Sequence, residues 1–450
     1  MKEKAVKKYL TLTYGCQMNE RDTATIAGLV ERSGYQEASS FEEADLIVLN
    51  TCSVRHSAEN KVYGKLGELK RFKQDKPDML IALGGCMAQL DEVRDKLKKM
   101  GIVDVVFGTH NLHELPYLLE KAEAGLERPV IDVWAEAGEI VENLPARRPG
   151  GISAFINIMF GCNNFCSYCI VPHTRGRERS RHPDDILAEV EGLVEQGVKE
   201  VTLLGQNVNS YGRGLESKLD FADLLRMVNQ IDGLYRIRFT TSHPRDLSDK
   251  LIQAIADCSR VCEHVHAPLQ AGSNRILQAM NRGYTCEEYL RLVRQMRATI
   301  PGVAITSDLI VGFPGESEED FRATLAMVEK VRFDSAFTFM YSPRTGTRAA
   351  DLKEQVPLEI KKERLLRLNE VQYQIAREAN RQLENQAVEV LVEGQSKTDS
   401  ERLTGRTRTN RIVVFEGEKH LVGKLLQVVV REARTFTLYG ELPKGEGALR

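Results

Sequence analysis

Residues 162–169 read Cys162-Asn163-Asn164-Phe165-Cys166-Ser167-Tyr168-Cys169, three cysteines at CxxxCxxC spacing directly after Met159-Phe160-Gly161. Three thiolates this close suit three irons of a [4Fe–4S] cube, because thiolates are the usual ligands of such clusters. The fourth iron is then bare. A structural metal site closes its shell with a fourth protein ligand, whereas a catalytic site keeps a position open. The stretch therefore points to chemistry at a chelated cosubstrate. Two alternatives remain open at this stage: a zinc site with a distant fourth ligand, and three thiols of an apolar core.

Outward from this loop, strand-like apolar runs alternate with helical spacing. The runs fall at 154–159, 200–204, 236–241, 263–267, 304–311 and 335–341, with helical segments such as 184–196, 247–257, 285–299 and 318–331 between them. Six βα units predict an open partial (β/α)6 barrel over 152–380, with polar residues collecting at the carboxyl ends of the strands. A charged helical stretch, 358–386, leads out of it. Residues 1–145 also read as α/β, with strands at 9–13, 45–50 and 79–84 and helices at 19–34 and 58–72, which implies a parallel sheet. The run 134–151, first acidic and then Pro- and Gly-rich, has a linker's composition. Short β-rich runs separated by Gly and polar turns over 383–445 predict a small all-β barrel.

The chain has 450 residues, 42% hydrophobic and 28% charged, with a net charge of −2. That balance gives no global attraction to nucleic acid, so any RNA contact must come from local patches. No apolar run reaches membrane-span length, and the charged start lacks a signal peptide's apolar region. A cytoplasmic location without membrane contact is expected. Nine cysteines, an odd number, favour metal or redox use over a disulfide framework.

Cys16, Cys52 and Cys86 each follow a predicted strand and a small residue, Gly15, Thr51 or Gly85. Strand ends of a parallel sheet lie along one edge, where ligands bind. The three thiols are thus candidates for one further metal site, with three buried thiols as the alternative. Cys258, Cys262, His264 and His266 have poor spacing for tetrahedral zinc and read as ordinary burial. Four arginines within 175–181 suit phosphate or stacked bases.

CxxxCxxC with Tyr168 before its last cysteine resembles the signature of the radical S-adenosylmethionine (SAM) enzymes. Gly15-Cys16-Gln17-Met18-Asn19, Asn50-Thr51-Cys52-Ser53-Val54-Arg55 and Gly84-Gly85-Cys86-Met87-Ala88-Gln89 resemble the N-terminal domain of the methylthiotransferases. Thr404-Gly405-Arg406 through Phe415 resembles the strand pattern of a TRAM domain. The overall spacing is most similar to the MiaB type of this family. The resemblance implies two [4Fe–4S] clusters, one on Cys162, Cys166 and Cys169 and an auxiliary one on Cys16, Cys52 and Cys86. It implies SAM in two roles, as methyl donor and as source of the 5′-deoxyadenosyl radical. The expected activity is addition of a methylthio group to C2 of N6-isopentenyl-adenosine 37 in tRNA. By the same resemblance Tyr168, Gln206, Ser242, Gln270 and Asp308 belong to the SAM site. Arg175, Arg177, Arg406, Arg408 and Arg411 are candidates for the tRNA anticodon stem-loop. Expected partners are an electron donor such as flavodoxin or ferredoxin and a protein that delivers sulfur or clusters. Threonylcarbamoyl-adenosine or a ribosomal protein is the alternative substrate, and a non-catalytic iron–sulfur RNA-binding protein the alternative of another class.

Overall fold

The computed structural model describes residues 6–53, 56–125, 128–147, 150–397 and 399–443. Val54 and Arg55 of the second cysteine motif, and residues 148–149 of the linker, lie outside them. Two compact units emerge. The first comprises 1–150, 159–163 and 169–181, and the second comprises 151–158, 164–168 and 182–450.

In the first unit, strands β1 (Lys8–Thr13), β2 (Gln36–Glu37), β3 (Leu46–Thr51), β4 (Leu80–Gly85), β5 (Val105–Phe107) and β6 (Val130–Asp132) form a parallel sheet in the order β2-β1-β3-β4-β5-β6. Helices α1 (Gln17–Arg32), α2 (His56–Asp75), α3 (Asp91–Met100) and α4 (Leu115–Glu123) connect them. Along β3 and β4 alternate residues feed two separate cores. Ile47, Leu49, Ile81 and Leu83 join one, and Leu46, Val48, Leu80 and Ala82 join the other. Both faces are covered, which is why these strands read as unbroken apolar runs. Strands β5 and β6 are three residues each, too short to show a period in the sequence. Part of the linker runs against α1: a side chain at Gly28 would strike the Pro145 carbonyl at 2.7 Å. Strand β8 (Met159–Phe160) pairs antiparallel with β9 (Arg179–Ser180), and α5 (Val171–Thr174) lies between them.

In the second unit, β7 (Ser153–Asn157), β10 (Glu200–Leu204), β11 (Arg236–Phe239), β12 (His264–His266), β13 (Ala304–Val311) and β14 (Ser335–Met340) are parallel. One bridge, Ile237 to Val261, joins the two groups of three. Helices α6 (Pro183–Glu195), α7 (Phe221–Val228), α8 (Asp249–Asp257), α9 (Asn274–Ala279), α10 (Cys286–Thr299) and α11 (Glu318–Val331) alternate with them. This is the expected six-stranded partial barrel. Helix α12 (Leu358–Arg381) leads to a closed five-stranded barrel: β15 (Ala387–Gln395), β16 (Arg402–Thr407), β17 (Ile412–Glu416), β18 (Leu425–Ala433) and β19 (Thr437–Glu441). The arginine-rich run 404–415 is the β16–β17 hairpin, turned through Asn410 at φ +67°. Among the described residues no helix is long and apolar enough to cross a membrane.

Candidate active site

Strands β1, β3 and β4 are neighbours, and a cysteine follows the end of each within three residues. Cys16 caps α1, Cys52 follows β3, and Cys86 opens a short 3-10 turn after β4. The backbones are drawn unusually close. A side chain at Gly15 would meet Cys52 Cβ at 2.7 Å, and one at Gly85 (φ +92°) would meet the Thr51 carbonyl at 2.4 Å. Only glycine fits here, for both sterics and conformation. Two buried asparagines tie the edge together. Asn19 Nδ2 donates to Asn50 Oδ1 (3.1 Å) and to the Thr51 carbonyl (3.0 Å), while Asn50 Nδ2 donates to the Asn19 carbonyl (2.8 Å).

Arg175 lies among these thiols. Its Nε donates to Cys86 Sγ at 3.4 Å and its Nη2 to Asp22 at 2.7 Å. Burial works against its charge, but Cys86, Asp22 and Cys16 outweigh that and hold the guanidinium firmly protonated. Arg175 therefore belongs to the thiol site. With the residue only 5% exposed, these pairings speak against the expected contact with RNA. The buried Ser53 hydroxyl has no hydrogen-bond partner among the described residues. Three soft thiol donors, an orphaned hydroxyl and glycines at the closest approach fit an iron–sulfur cluster. Among the described residues no group of three His, Cys, Asp or Glu side chains closes around a single ion, and a cube's ligands stand farther apart than a single ion's.

The second triplet sits on the loop after β8. In the first unit, Gly161 (φ +74°) lets the chain pass the Arg177 carbonyl, which a side chain would strike at 2.0 Å, and Cys162 N donates to the Gly176 carbonyl (3.1 Å). Cys169 lies on the same loop and is partly exposed. In the second unit, Ser167 anchors residues 164–168 through bonds to the carbonyls of Met280 (3.0 Å) and Ala279 (2.8 Å). Arg282 Nη1 donates to Cys166 Sγ at 3.2 Å, and the same guanidinium bonds Tyr284 and the Pro268 carbonyl. It reaches the Tyr168 hydroxyl at 3.5 Å.

Gln206, Ser242 and Gln270 follow the carboxyl ends of β10, β11 and β12, while Asp308 lies within β13. Ser242 Oγ and Gln270 Oε1 are buried with no hydrogen-bond partner among the described residues. Such groups are costly unless a ligand satisfies them. Gln270 holds a left-handed backbone (φ +72°) and is spliced onto β13 by bonds with Asp308 and Ile310. The Asp308 carboxylate is 3.5 Å from His266 Nε2. The alternative zinc set of Cys258, Cys262, His264 and His266 is not assembled: among the described residues no three of these side chains close around a single ion.

The hairpin arginines have other work. Arg408 forks onto Glu263 (2.6 and 2.7 Å) and bonds the Val261 carbonyl (2.6 Å); Arg411 pairs with Asp334 (2.5 Å) and Asn380 (2.9 Å). From the barrel side, Arg236 donates to the Arg406 carbonyl (2.6 Å), and Arg238 to those of Thr407 (2.8 Å) and Arg408 (2.9 Å). Glu263 and Asp334 immediately precede β12 and β14, and Arg236 begins β11. The hairpin thus plugs the amino-terminal end of the partial barrel, opposite the strand ends that carry Ser242 and Gln270. These carboxylate pairings compete with the expected RNA contacts of Arg408 and Arg411, whose side chains stay 24% and 17% exposed. Arg406 pairs with Glu393 (3.0 Å), and Arg177 is exposed.

Arg282, Asp22 and the Arg236–Arg238 pair escaped the sequence reading. Arg282 lies 116 residues from Cys166 and Asp22 lies 153 from Arg175. No local spacing marks such partners.

A CxxxCxxC loop, in a chain whose parallel strands are followed by unsatisfied polar groups, marks a radical SAM protein, and family comparisons agree. The Radical SAM superfamily matches residues 156–328, Uncharacterized protein family UPF0004 residues 8–108, and the TRAM domain residues 381–442. Among solved structures, a radical SAM methyltransferase, TsrM, from Kitasatospora setae has the same fold (TM-score 0.55, 15% identity, covering 76% of this chain and 74% of that one). The tRNA-2-methylthio-N(6)-dimethylallyladenosine synthase of Syntrophomonas wolfei is 67% identical over 441 residues, covering 98% of this chain and 99% of that protein. Those of Carboxydothermus hydrogenoformans and Moorella thermoacetica are 55% and 54% identical, over 97% and 98% of this chain and the whole of each relative. The chain belongs to the family of tRNA-2-methylthio-N(6)-dimethylallyladenosine synthases.

Proposed function

We propose that the chain adds a methylthio group to C2 of N6-dimethylallyladenosine 37 in tRNA, with Cys16, Cys52 and Cys86 holding one [4Fe–4S] cluster and Cys162, Cys166 and Cys169 the other. The observation that carries this reading is that a cysteine follows each of three neighbouring strands at one sheet edge, in a chain that also bears the CxxxCxxC loop. When bound, the loop cluster and SAM supply a radical able to abstract hydrogen, and the second cluster supplies sulfur that another SAM methylates. An adenine C2–H is too weakly acidic for a side-chain base, so no residue is assigned that role. The residues' task is to bind, orient and shield.

Ser242 and Gln270 offer unsatisfied polar atoms to SAM, with Gln206, Asp308 and Tyr168 beside them in the assignment. Arg177 remains a candidate for tRNA. The target base must leave its stack to meet the site. The working division is 1–145 for the first cluster, 152–380 for the radical SAM barrel and 383–445 for the TRAM domain. A flavodoxin or ferredoxin as electron donor, a protein delivering sulfur or clusters, and a cytoplasmic location complete the proposal.

Mass spectrometry of tRNA nucleosides from a strain lacking this protein tests the substrate directly. Loss of 2-methylthio-N6-dimethylallyladenosine with accumulation of the unthiolated nucleoside is expected. An unchanged nucleoside profile refutes the assignment. Cys166→Ala should abolish product while leaving tRNA binding nearly unchanged.

A further inference from the structure

Each cysteine triplet has one sulfur held by a buried guanidinium. Arg282 reaches Cys166 at 3.2 Å, and Arg175 reaches Cys86 at 3.4 Å. The two differ in their countercharge. Arg175 pairs with Asp22 at 2.7 Å, in a bridge whose side chains are 6% and 15% exposed. Arg282 pairs with no carboxylate among the described residues; its other partners are tyrosine hydroxyls and a carbonyl. A buried ion pair is a poor source of stability, because desolvation offsets its attraction. What the pair touches is the better guide to its use.

We propose that Arg175 and Asp22 set the reduction potential of the cluster held by Cys16, Cys52 and Cys86, as positioning residues acting through Cys86. This rests on the reading that those thiolates hold a cluster. One-electron reduction adds a negative charge to the cluster. A fixed cation donating to a ligating sulfur stabilises the reduced form, and a water-poor site strengthens the effect. Asp22, paired with that cation, opposes it. The pair therefore acts as a partly cancelled charge, so the two members should shift the potential in opposite directions. A merely structural pair has no such sign difference, since losing either member would disturb the same packing.

The test uses the full chain with Cys162, Cys166 and Cys169 replaced by alanine, loaded anaerobically with iron and sulfide. About four irons per chain should bind. Absence of iron would overturn the cluster reading, and this inference with it. Potentiometry followed by electron paramagnetic resonance then compares Arg175→Met, Arg175→Lys and Asp22→Asn in that background. At the parent midpoint, Arg175→Met should lower the reduced-to-oxidised ratio at least tenfold, which is 59 mV for one electron. Asp22→Asn should raise that ratio, and Arg175→Lys should move it less than Arg175→Met does. Unmoved potentials, or shifts of the same sign in Arg175→Met and Asp22→Asn, refute the proposal. If Arg175→Met loads no iron, the lysine and asparagine variants carry the comparison. Loss of iron in all three would make the pair structural and overturn it.

Discussion

Arg408→Ala separates docking from RNA binding at the β16–β17 hairpin. The guanidinium makes two bonds of 2.6 and 2.7 Å to Glu263 and one of 2.6 Å to the Val261 carbonyl. The two side chains are 24% and 27% exposed. Breaking a fully buried charged pair costs about 3–5 kcal/mol, because the surviving charge is left unpaired. Partial solvent access to Glu263 discounts this to about 2 kcal/mol. Urea denaturation of the second unit's signal should therefore shift to lower urea, and proteolysis after α12 should accelerate. The tRNA measurement gives the contrast. A lost phosphate contact lowers the slope of log K against log salt by about 0.7–0.9. Since Arg408 faces Glu263 rather than solvent, the slope should stay as in the parent. Unchanged stability together with a slope reduced by about one contact would refute the docking assignment and restore Arg408 to the RNA surface.

Three other outcomes follow from the geometry. Gly85→Ala forces a side chain against the Thr51 carbonyl at a φ of +92°, so reconstituted protein should fall from about eight irons per chain to about four; retention of eight would contradict the close-approach argument. Gln270→Leu removes one of the orphaned polar atoms. If that atom bonds a charged group of SAM, affinity should drop about 10- to 100-fold, and calorimetry with the cluster-loaded protein reading an unchanged Kd would count against it. Burial, aided by Arg282, pushes His243 down to about 3, and burial with Arg238 does the same to His264. The unfolded chain takes up these protons below about pH 6.5 while the folded chain refuses them, so stability is held above that pH and lost as pH falls toward 3. Each histidine contributes up to about 1.4 kcal/mol per pH unit. His264→Asn should flatten the urea midpoint's dependence between pH 6 and 4, and an identical slope would show His264 is not refusing a proton.

The alternation of strands and helices was legible because period-2 and period-3.6 patterns are local. It placed β10, β13 and α11 at their observed bounds and missed β5 and β6, which are too short to carry a period. The cysteines were equally legible. Thiolate spacing is a local signal in the 162–169 loop, and at Cys16, Cys52 and Cys86 the strand-then-cysteine pattern implies a shared sheet edge. The arginines were not legible. Arg175, Arg408 and Arg411 sit in basic runs that resemble an RNA patch, yet each is matched to a carboxylate far along the chain: Asp22, Glu263 and Asp334.

By itself, then, the sequence determined which segments form the two α/β sheets and the small barrel and singled out the cysteines as candidate ligands, since backbone periodicity and ligand chemistry are written residue by residue. Only the tertiary structure decided what the charges do. The worth of a guanidinium depends on its burial and on the partner that folding brings to it. Folding turns one basic run toward the Cys86 sulfur and another into the plug at the amino-terminal end of the barrel, leaving the opposite end to Ser242 and Gln270.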